Sequence, residues 1–270
     1  MLPRRRVLAG AGVIIVIVLG GLASFWYLVL RDDAPPPVSL ASALASVSST
    51  PTPDASPAIE VTTTATATNP VVTTPELTTP EPATTVLPSA DDPASLVGTW
   101  VLSQQGDSFV GYRVQEELAS IGAATAVGRT AILTAELEYD GTAIIAVSVE
   151  ADMTQLRSDD SRRDRTLRRQ ALETGAFPTA SFELTSPFAI GAVVDGEPVV
   201  ATVTGELTLH GVTREISMEL EGQFSNGMVV IVGSTEIIFA DYEIAQPTSF
   251  VLLSIDDRGV LELQLVFERA

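Results

Sequence analysis

His210 is the only histidine in a chain of 270 residues that has no cysteine and no lysine. Metal sites and nucleophile–base pairs need several convergent groups. His210, in the segment Leu209–Thr213, has neither a second histidine nor a thiol to work with, so it reads as a structural or surface residue. Serines are plentiful, but no G-x-S-x-G elbow occurs, and the absence of lysine removes Schiff-base and P-loop chemistry. Carboxylate pairs such as Asp159-Asp160 and Asp256-Asp257 stand among polar neighbours and read as solvated turns or caps. No catalytic residue, metal site or resident cofactor is expected.

The dense group of charged side chains is made of arginine. Arg157, Arg162, Arg163, Arg165, Arg168 and Arg169 fall within 13 residues, offset in part by Asp159, Asp160 and Asp164. All 15 cationic residues are arginine, against 34 acidic ones, for a formal charge of −19. Such a balance speaks against nucleic-acid partners, because phosphate contacts need a basic surface. Against it, Arg165, Arg168 and Arg169 are candidates for a basic lip facing an anionic headgroup or a membrane. The alternative is a solvated helix face.

Three segments of unlike composition position these groups. Residues 1–31 carry Arg4, Arg5 and Arg6, then 24 uncharged, mostly apolar residues from Val7 to Leu30, then Arg31. At about 1.5 Å per residue such a helix spans a hydrocarbon core of about 30 Å. The arginine bias predicts a single-pass anchor in the cytoplasmic membrane, N-terminus inside and the remainder outside, on the periplasmic or cell-surface side. Trp26 and Tyr27 suit an aromatic belt at the outer end. The rival is a cleaved signal peptide, whose apolar region is usually only about 7–15 residues. Residues 32–95 hold 12 of the 17 prolines amid Thr, Ser and Ala, with no arginine. They are expected to be a disordered stalk with some polyproline II character.

Residues 96–270 hold 11 arginines against 26 acids, a formal −15, and alternate with period two. Val203, Leu207 and Leu209 share one face against Thr204, Glu206 and Thr208. Ile216, Met218 and Leu220 oppose Ser217, Glu219 and Glu221. Leu261, Leu263, Leu265 and Phe267 oppose Glu262, Gln264 and Glu268. Turn dipeptides separate or flank such runs at Asp140-Gly141, Asp195-Gly196, Asn226-Gly227 and Arg258-Gly259. The pattern predicts an all-β domain of about eight antiparallel strands, closed as a barrel or folded as a sandwich. One helix interrupts it, from Ser158 to Glu173, with Ser158 or Asp159 as cap, Gly175 past its end, and Leu167, Ala171 and Leu172 as a narrow apolar stripe. Phe177-Pro178 then restarts extended chain.

Particular motifs now carry a resemblance. The run Arg163-Asp164-Arg165-Thr166-Leu167, followed by Phe177-Pro178-Thr179-Ala180-Ser181-Phe182, resembles the RD-x-x-L and F-x-x-x-x-P-x-x-x-F region of the YceI-like family. The stretch from Val203 through Gly205, Leu207, Thr208, Gly211, Val212 and Thr213 is similar to its V-x-G-x-L-T-x-x-G-V-T hairpin. Ser108-Phe109-Val110-Gly111-Tyr112 is similar to its first strands. Arg163, Asp164, Pro178, Gly205 and Gly211 are thus the structural motif residues, with Arg163 and Asp164 as a local pair bracing the helix onto the barrel. Two positions depart from the family pattern. The family often has a histidine where this chain has Gln115 or Glu116, and Asp241-Tyr242-Glu243-Ile244 only loosely follows its aromatic-glycine-isoleucine.

The resemblance implies a lipocalin-like extended barrel whose apolar channel binds a polyisoprenoid, a quinone or another long amphiphile. The inward candidates are Val110, Tyr112, Val147, Val149, Phe182, Leu184, Val203, Leu207, Ile216, Met218, Phe239, Leu263, Leu265 and Phe267. An eight-stranded barrel is just wide enough to be filled by its own side chains or to hold one slender ligand. A non-enzymatic, membrane-tethered carrier or store for such a lipid is the first expectation. A surface-interaction or stress-protective barrel with a filled core is the second. Monomer and homodimer both stay open.

Overall fold

The computed structural model describes residues 34–48, 96–119 and 122–270. The expected anchor lies outside the described residues, as does most of the stalk. Among the described residues no helix is long and apolar enough to cross a membrane.

Thirteen strands join in one sheet, antiparallel at every pairing. Eight of them close a ring: β1 (Gly98–Leu102), β4 (Leu133–Tyr139), β5 (Ala143–Asp152), β7 (Thr179–Leu184), β9 (Pro198–Leu209), β10 (Val212–Ser225), β11 (Met228–Ile238) and β13 (Arg258–Arg269). Closure is made where Trp100, Val101 and Leu102 pair with Arg269, Glu268 and Phe267. The barrel expected from the period-two pattern is therefore present, with eight strands. The sheet has more because β13 forks. Its C-terminal end pairs with β1, and its first half, Val260–Gln264, pairs with β2 (Phe109–Leu118). β3 (Gly122–Thr130) and β6 (Arg157–Ser158) extend from β2, β12 (Leu252–Ile255) adds to its end, and β8 (Phe188–Ala189) adds to β5.

The tight hairpins are where dipeptides supply positive φ. His210 (φ 53°) and Gly211 (φ 76°) join β9 to β10, and Asn226 (φ 54°) and Gly227 (φ 80°) join β10 to β11. After Asp140, the Asp140 carboxylate accepts from the Thr142 and Ala143 amides. Arg258-Gly259 does not form a turn. Both residues pair with Ile238 and Ile237 inside the β11–β13 ladder. Gly259 is there for room, since a Cβ would stand 3.1 Å from the Phe239 ring.

The helix is shorter than its sequence promised. α2 runs Ser161–Thr166 and continues as one wider turn over Leu167–Ala171. Asp160, not Ser158 or Asp159, caps it by accepting from the Arg162 amide at 2.7 Å. Its left-handed exit is Glu173 (φ 42°) rather than Gly175. The wide turn carries the Leu172 amide back to the Leu167 carbonyl and keeps the expected stripe inward: Leu167 packs against the core cluster in which Ala171 and Leu172 are buried.

Residues 34–48 also depart from expectation. They lie in the stretch read as a stalk, yet Leu40–Ser48 is a helix, α1, with Leu40 and Ala43 buried against Val230, Val232 and Val266. Those valines are on the outer face of β11 and β13. Proline content was a poor guide here because apolar residues at helical spacing, Leu40, Ala43, Leu44 and Val47, had an apolar outer wall to cover. At the entry to α1, the Arg113 guanidinium donates to the Pro35 carbonyl at 2.7 Å. The polar neighbours of that wall are buried as well: Glu262 is 1% exposed and is held by Arg113 at 3.0 Å and Arg129 at 3.6 Å.

A charge at Ala43, which is fully buried, must lift α1 off the barrel, because an unpaired ion is not tolerated in an apolar contact. Ala43→Glu is expected to make residues 34–48 sensitive to thermolysin while the barrel stays resistant. The melting midpoint should fall by several degrees, consistent with exposing about two aliphatic side chains at roughly 1.5–3 kcal/mol each.

Candidate functional site

Long strands make a long interior. β9, β10, β11 and β13 have 12, 14, 11 and 12 residues, so at about 3.3 Å per residue the barrel is extended along its axis. Its inward side chains leave space rather than filling it. One cavity lies at one end, one in the middle and one at the α2 end. Leu137, Ile144, Phe188, Leu220 and Ile231 wall both the first and the second. Val110, Ala180, Leu207 and Leu261 wall both the second and the third. The cavities therefore adjoin in a row. Their walls are apolar apart from a few groups: Gln223 and the hydrogen-bonded Trp100 and Tyr139 in the first, Ser181 in the second, and Tyr112 in the third.

The two ends of the row are built differently. At the far end Trp100 stacks edge-on with Phe224, ring centroids 6.0 Å apart. The Tyr139 hydroxyl ties two loops there by donating to the Gly191 carbonyl at 2.8 Å and lying 2.6 Å from the Gly141 carbonyl. At the α2 end a further cavity shares Tyr112, Val114, Leu167, Pro247 and Ile255 with the bore. Glu116, Arg162, Arg163, Phe250 and Val251 also line this mouth.

Of the inward candidates, Val110, Val147, Val149, Phe182, Val203, Leu207, Ile216, Met218, Leu263, Leu265 and Phe267 stand on the central wall. Tyr112 and Phe239 stand at the α2 end. Leu184 lines none of these cavities and packs on the cluster around Leu265 and Phe267. The sequence reading missed the far end: Trp100, Phe188, Ile190 and Phe224. Phe224 was within reach, since it continues the phase of Ile216, Met218 and Leu220 by two more steps. It also missed Leu156, Leu172, Ile244 and Ile255 at the other end. These come from loops and short elements, where no periodicity marks the inward side.

The mouth is braced by charge. Glu116, in phase with Val110, Tyr112 and Val114, is 8% exposed and accepts from Arg163 at 2.5 Å. Arg163 also pairs with Asp159. Burial works against the Arg163 charge, but the Glu116 and Asp159 carboxylates outweigh it and hold the guanidinium above its ordinary pKa. Arg163 and Asp164, expected to act as a local pair, are not partners of each other. Asp164 is buried and instead accepts from the Ser158 amide (2.8 Å) and hydroxyl (2.7 Å). Helical neighbours point about 100° apart, so one reaches β2 and the other closes the loop before α2.

Just inside, Tyr112 lines both the bore and the mouth. Its ring lies over Gly128, where a Cβ would stand 2.4 Å away. Burial raises its phenol pKa well above the ordinary value, so it stays a neutral donor. Its hydroxyl is buried without a hydrogen-bond partner.

The remaining motif residues are structural. Gly205 admits the Phe182 ring, 2.3 Å from where a Cβ would be, and Gly211 admits Phe177 in the same way at 2.6 Å. The Pro178 carbonyl accepts from the Met153 amide at 2.8 Å. His210 is buried, with Nδ1 3.0 Å from the Tyr242 carbonyl and Nε2 3.2 Å from the Glu173 carboxylate, which ties the β9–β10 hairpin to the loop after α2. Among the described residues no cluster of three or more His, Asp or Glu is arranged to hold a metal. Arg165 and Arg169 are exposed on α2 and its wide turn, and Arg168 is half-buried there. These three do not line the mouth, which takes its guanidinium groups from Arg162 and Arg163.

A model described as the YceI-like domain matches residues 100–267. The chain belongs to that family. A UPF0312 protein of Vibrio parahaemolyticus is 32% identical over 123 residues, 42% of this chain and 62% of that protein. The YceI-like chain thus spans about three fifths of that relative's length. A second UPF0312 protein, from Vibrio vulnificus, is 31% identical over 155 residues, 53% of this chain and 79% of that one. A solved polyisoprenoid binding domain from Saccharophagus degradans, implicated in plant cell wall breakdown, shares the fold. Its TM-score is 0.50 at 15% identity, with 64% of this chain and 99% of that chain covered.

Removing one partner of the mouth brace leaves a buried carboxylate unpaired. Arg163→Met is expected to lower unfolding free energy by about 3 kcal/mol, the low end of the range for a broken buried pair, because Arg163 keeps some solvent contact. Adding Glu116→Gln should restore most of the loss. Urea unfolding of the two variants and the parent checks both numbers.

Proposed function

We propose that this YceI-like protein is a non-enzymatic carrier or store for a polyisoprenoid or similar long-chain amphiphile, held tail-first in the bore. The observation that carries the reading is the row of adjoining apolar cavities with charged groups at its α2 end. A dry, tightly filled interior would have supported the alternative, an interaction barrel without a lipid. Each tail CH₂ moved from water into such a bore gains roughly 0.8 kcal/mol, so affinity needs only length and apolar lining. The polyisoprenoid binding domain with the same fold favours an isoprenoid over a straight acyl chain.

Orientation follows from where polar groups are. With Gln223 the sole unbonded polar side chain of the far cavity and Tyr112 at the near one, the tail would enter first and the headgroup stop at the mouth. There the Tyr112 hydroxyl has an open donor and Arg162 lines the wall. The proposal extends to location. The arginine-flanked apolar run would tether the barrel to the cytoplasmic membrane, on its outer side, and because α1 packs on the barrel the short chain before α1 would set its reach. No side-chain constellation on the bore wall suggests bond-making chemistry.

Three outcomes check this reading. Organic extraction and mass spectrometry of the purified chain should recover a long-chain isoprenoid in near-stoichiometric amount; a repeatedly empty protein would end the proposal. Ala180→Phe, at the junction of two cavities, should cut retention of full-length tails at least tenfold while a short-tailed analogue still binds. Overpacking of this kind costs about 1–3 kcal/mol of stability, so a melt confirms that the variant is folded. Tyr112→Phe removes a hydroxyl with no partner in the free protein. It should leave stability unchanged and weaken ligand binding about fivefold, the worth of one neutral hydrogen bond of about 1 kcal/mol.

A further inference from the structure

Exposed apolar side chains are unevenly spread over this acidic barrel. Phe250 is fully exposed (105%), and Val251 (56%) and Leu253 (62%) stand beside it. No other four-residue stretch among the described residues exposes more than one large hydrophobic residue. An aromatic ring held wholly in water has a cost that a soluble surface would not retain without use. The segment is not loose chain. The Thr248 amide donates to the Gln170 side chain at 3.1 Å, the Ala119 amide donates to the Val251 carbonyl at 2.9 Å, and Leu252 pairs with Leu118. It is fixed beside α2 at the mouth of the bore, which Phe250 and Val251 line together with Arg162 and Arg163.

The α2 side of the rim is cationic. Arg163 is committed to Glu116 and Asp159, and Asp160 to capping the helix. Arg162, Arg165, Arg168 and Arg169 form no ion pair among the described residues. The acids nearest the apolar segment, Glu117, Asp256 and Asp257, are engaged by Ser254 or Arg258 or stand in the turn before β13. The exposed Arg162, Arg165 and Arg169, with the half-buried Arg168 whose Nη1 donates to the Leu156 carbonyl at 3.5 Å, stand beside a projecting aromatic tip and match the two layers of an anionic bilayer surface: phosphates outside, the first acyl methylenes beneath.

We propose that the mouth of the barrel docks on an anionic membrane, with Phe250, Val251 and Leu253 entering the headgroup–acyl boundary and Arg162, Arg165, Arg168 and Arg169 on lipid phosphates. The inference rests on reading the barrel as a lipid carrier, because docking at the mouth lets a tail pass between bilayer and bore without crossing water. It is independent of the N-terminal run, which would bring the barrel near a membrane without orienting it.

The absence of cysteine allows the face to be tested in the full chain. Leu253→Cys carries an environment-sensitive NBD label at the tip, and Val200→Cys carries it on the outer wall of β9, where Val200 is 74% exposed. Both are reconstituted in vesicles of phosphatidylcholine alone or with 30 mol% phosphatidylglycerol, a composition chosen to supply about the anionic surface such patches need. The expected result is a blue shift and quenching by brominated lipid at position 253 only, larger with phosphatidylglycerol. Replacing Arg162, Arg165, Arg168 and Arg169 by Gln should remove most of that lipid dependence. Equal, water-like emission at 253 and 200 overturns the proposal. So does a blue shift that appears without vesicles and grows with protein concentration, which would make a second copy of the chain the occupant. Tail content, measured by extraction of the same samples, separates the two readings: an undocked but loaded barrel sinks docking alone, and an empty one sinks the carrier.

Discussion

A sheet closed on itself must aim every second side chain into a space of nearly fixed radius, and that constraint governs this molecule. With eight strands the radius suits either an interlocked core or one slender guest. Here the strands are long, so the interior becomes an elongated bore with β9, β10, β11 and β13 as its longest staves. Where the backbone carries glycine inward, the vacancy is taken by a neighbouring ring or branched chain: Phe182 at Gly205, Leu220 at Gly233, Phe239 at Gly259. The glycines thus shape the wall without widening it, and the open space runs along the axis between Trp100 and Tyr112.

The fork in β13 gives the bore its asymmetry. One end of that strand closes the ring through β1, while its first half, still paired with β11, carries β2 on its other edge. The β2 side then forms a separate wall at the α2 end, and α2 is fastened to it through Arg163 and Glu116. A charge pair at that point does two things. It fixes the helix beside the opening, and it gives that end of the bore the charged groups that the rest of the wall lacks. The consequence for function is that one end is marked for a headgroup.

The outer wall shows the same economy of faces. β13 presents Glu262, Gln264 and Val266 outward, and all three are buried. Gln264 donates to the Asp107 carbonyl, Glu262 meets two arginines, and Val266 lies beneath α1. This part of the barrel has packing on both sides, whereas Val200 on the outer side of β9 is in water. A helix next to the proline-rich chain therefore belongs to the folded body.

Much of this was legible in the residues. Period-two alternation, Asn226-Gly227 and the glycine-threonine hairpin around Gly211 determined antiparallel strands and their inward faces, because a side chain's face in a strand depends only on parity. That is why nearly every inward candidate stands on the bore wall. Parity is silent where both faces are apolar. In Met228–Val232 the sequence gives no way to tell Val229 and Ile231, which line the bore, from Val230 and Val232, which lie under α1. Local spacing also paired Arg163 with Asp164, whereas the fold sends them to Glu116 and Ser158, 47 and 6 residues away. Whether the interior would be open, where its mouth would lie and that Phe250 would stand beside the arginines of α2 were decided only by tertiary structure. Each depends on the distance between segments remote in sequence, and closure of the sheet, rather than any local propensity, sets that distance.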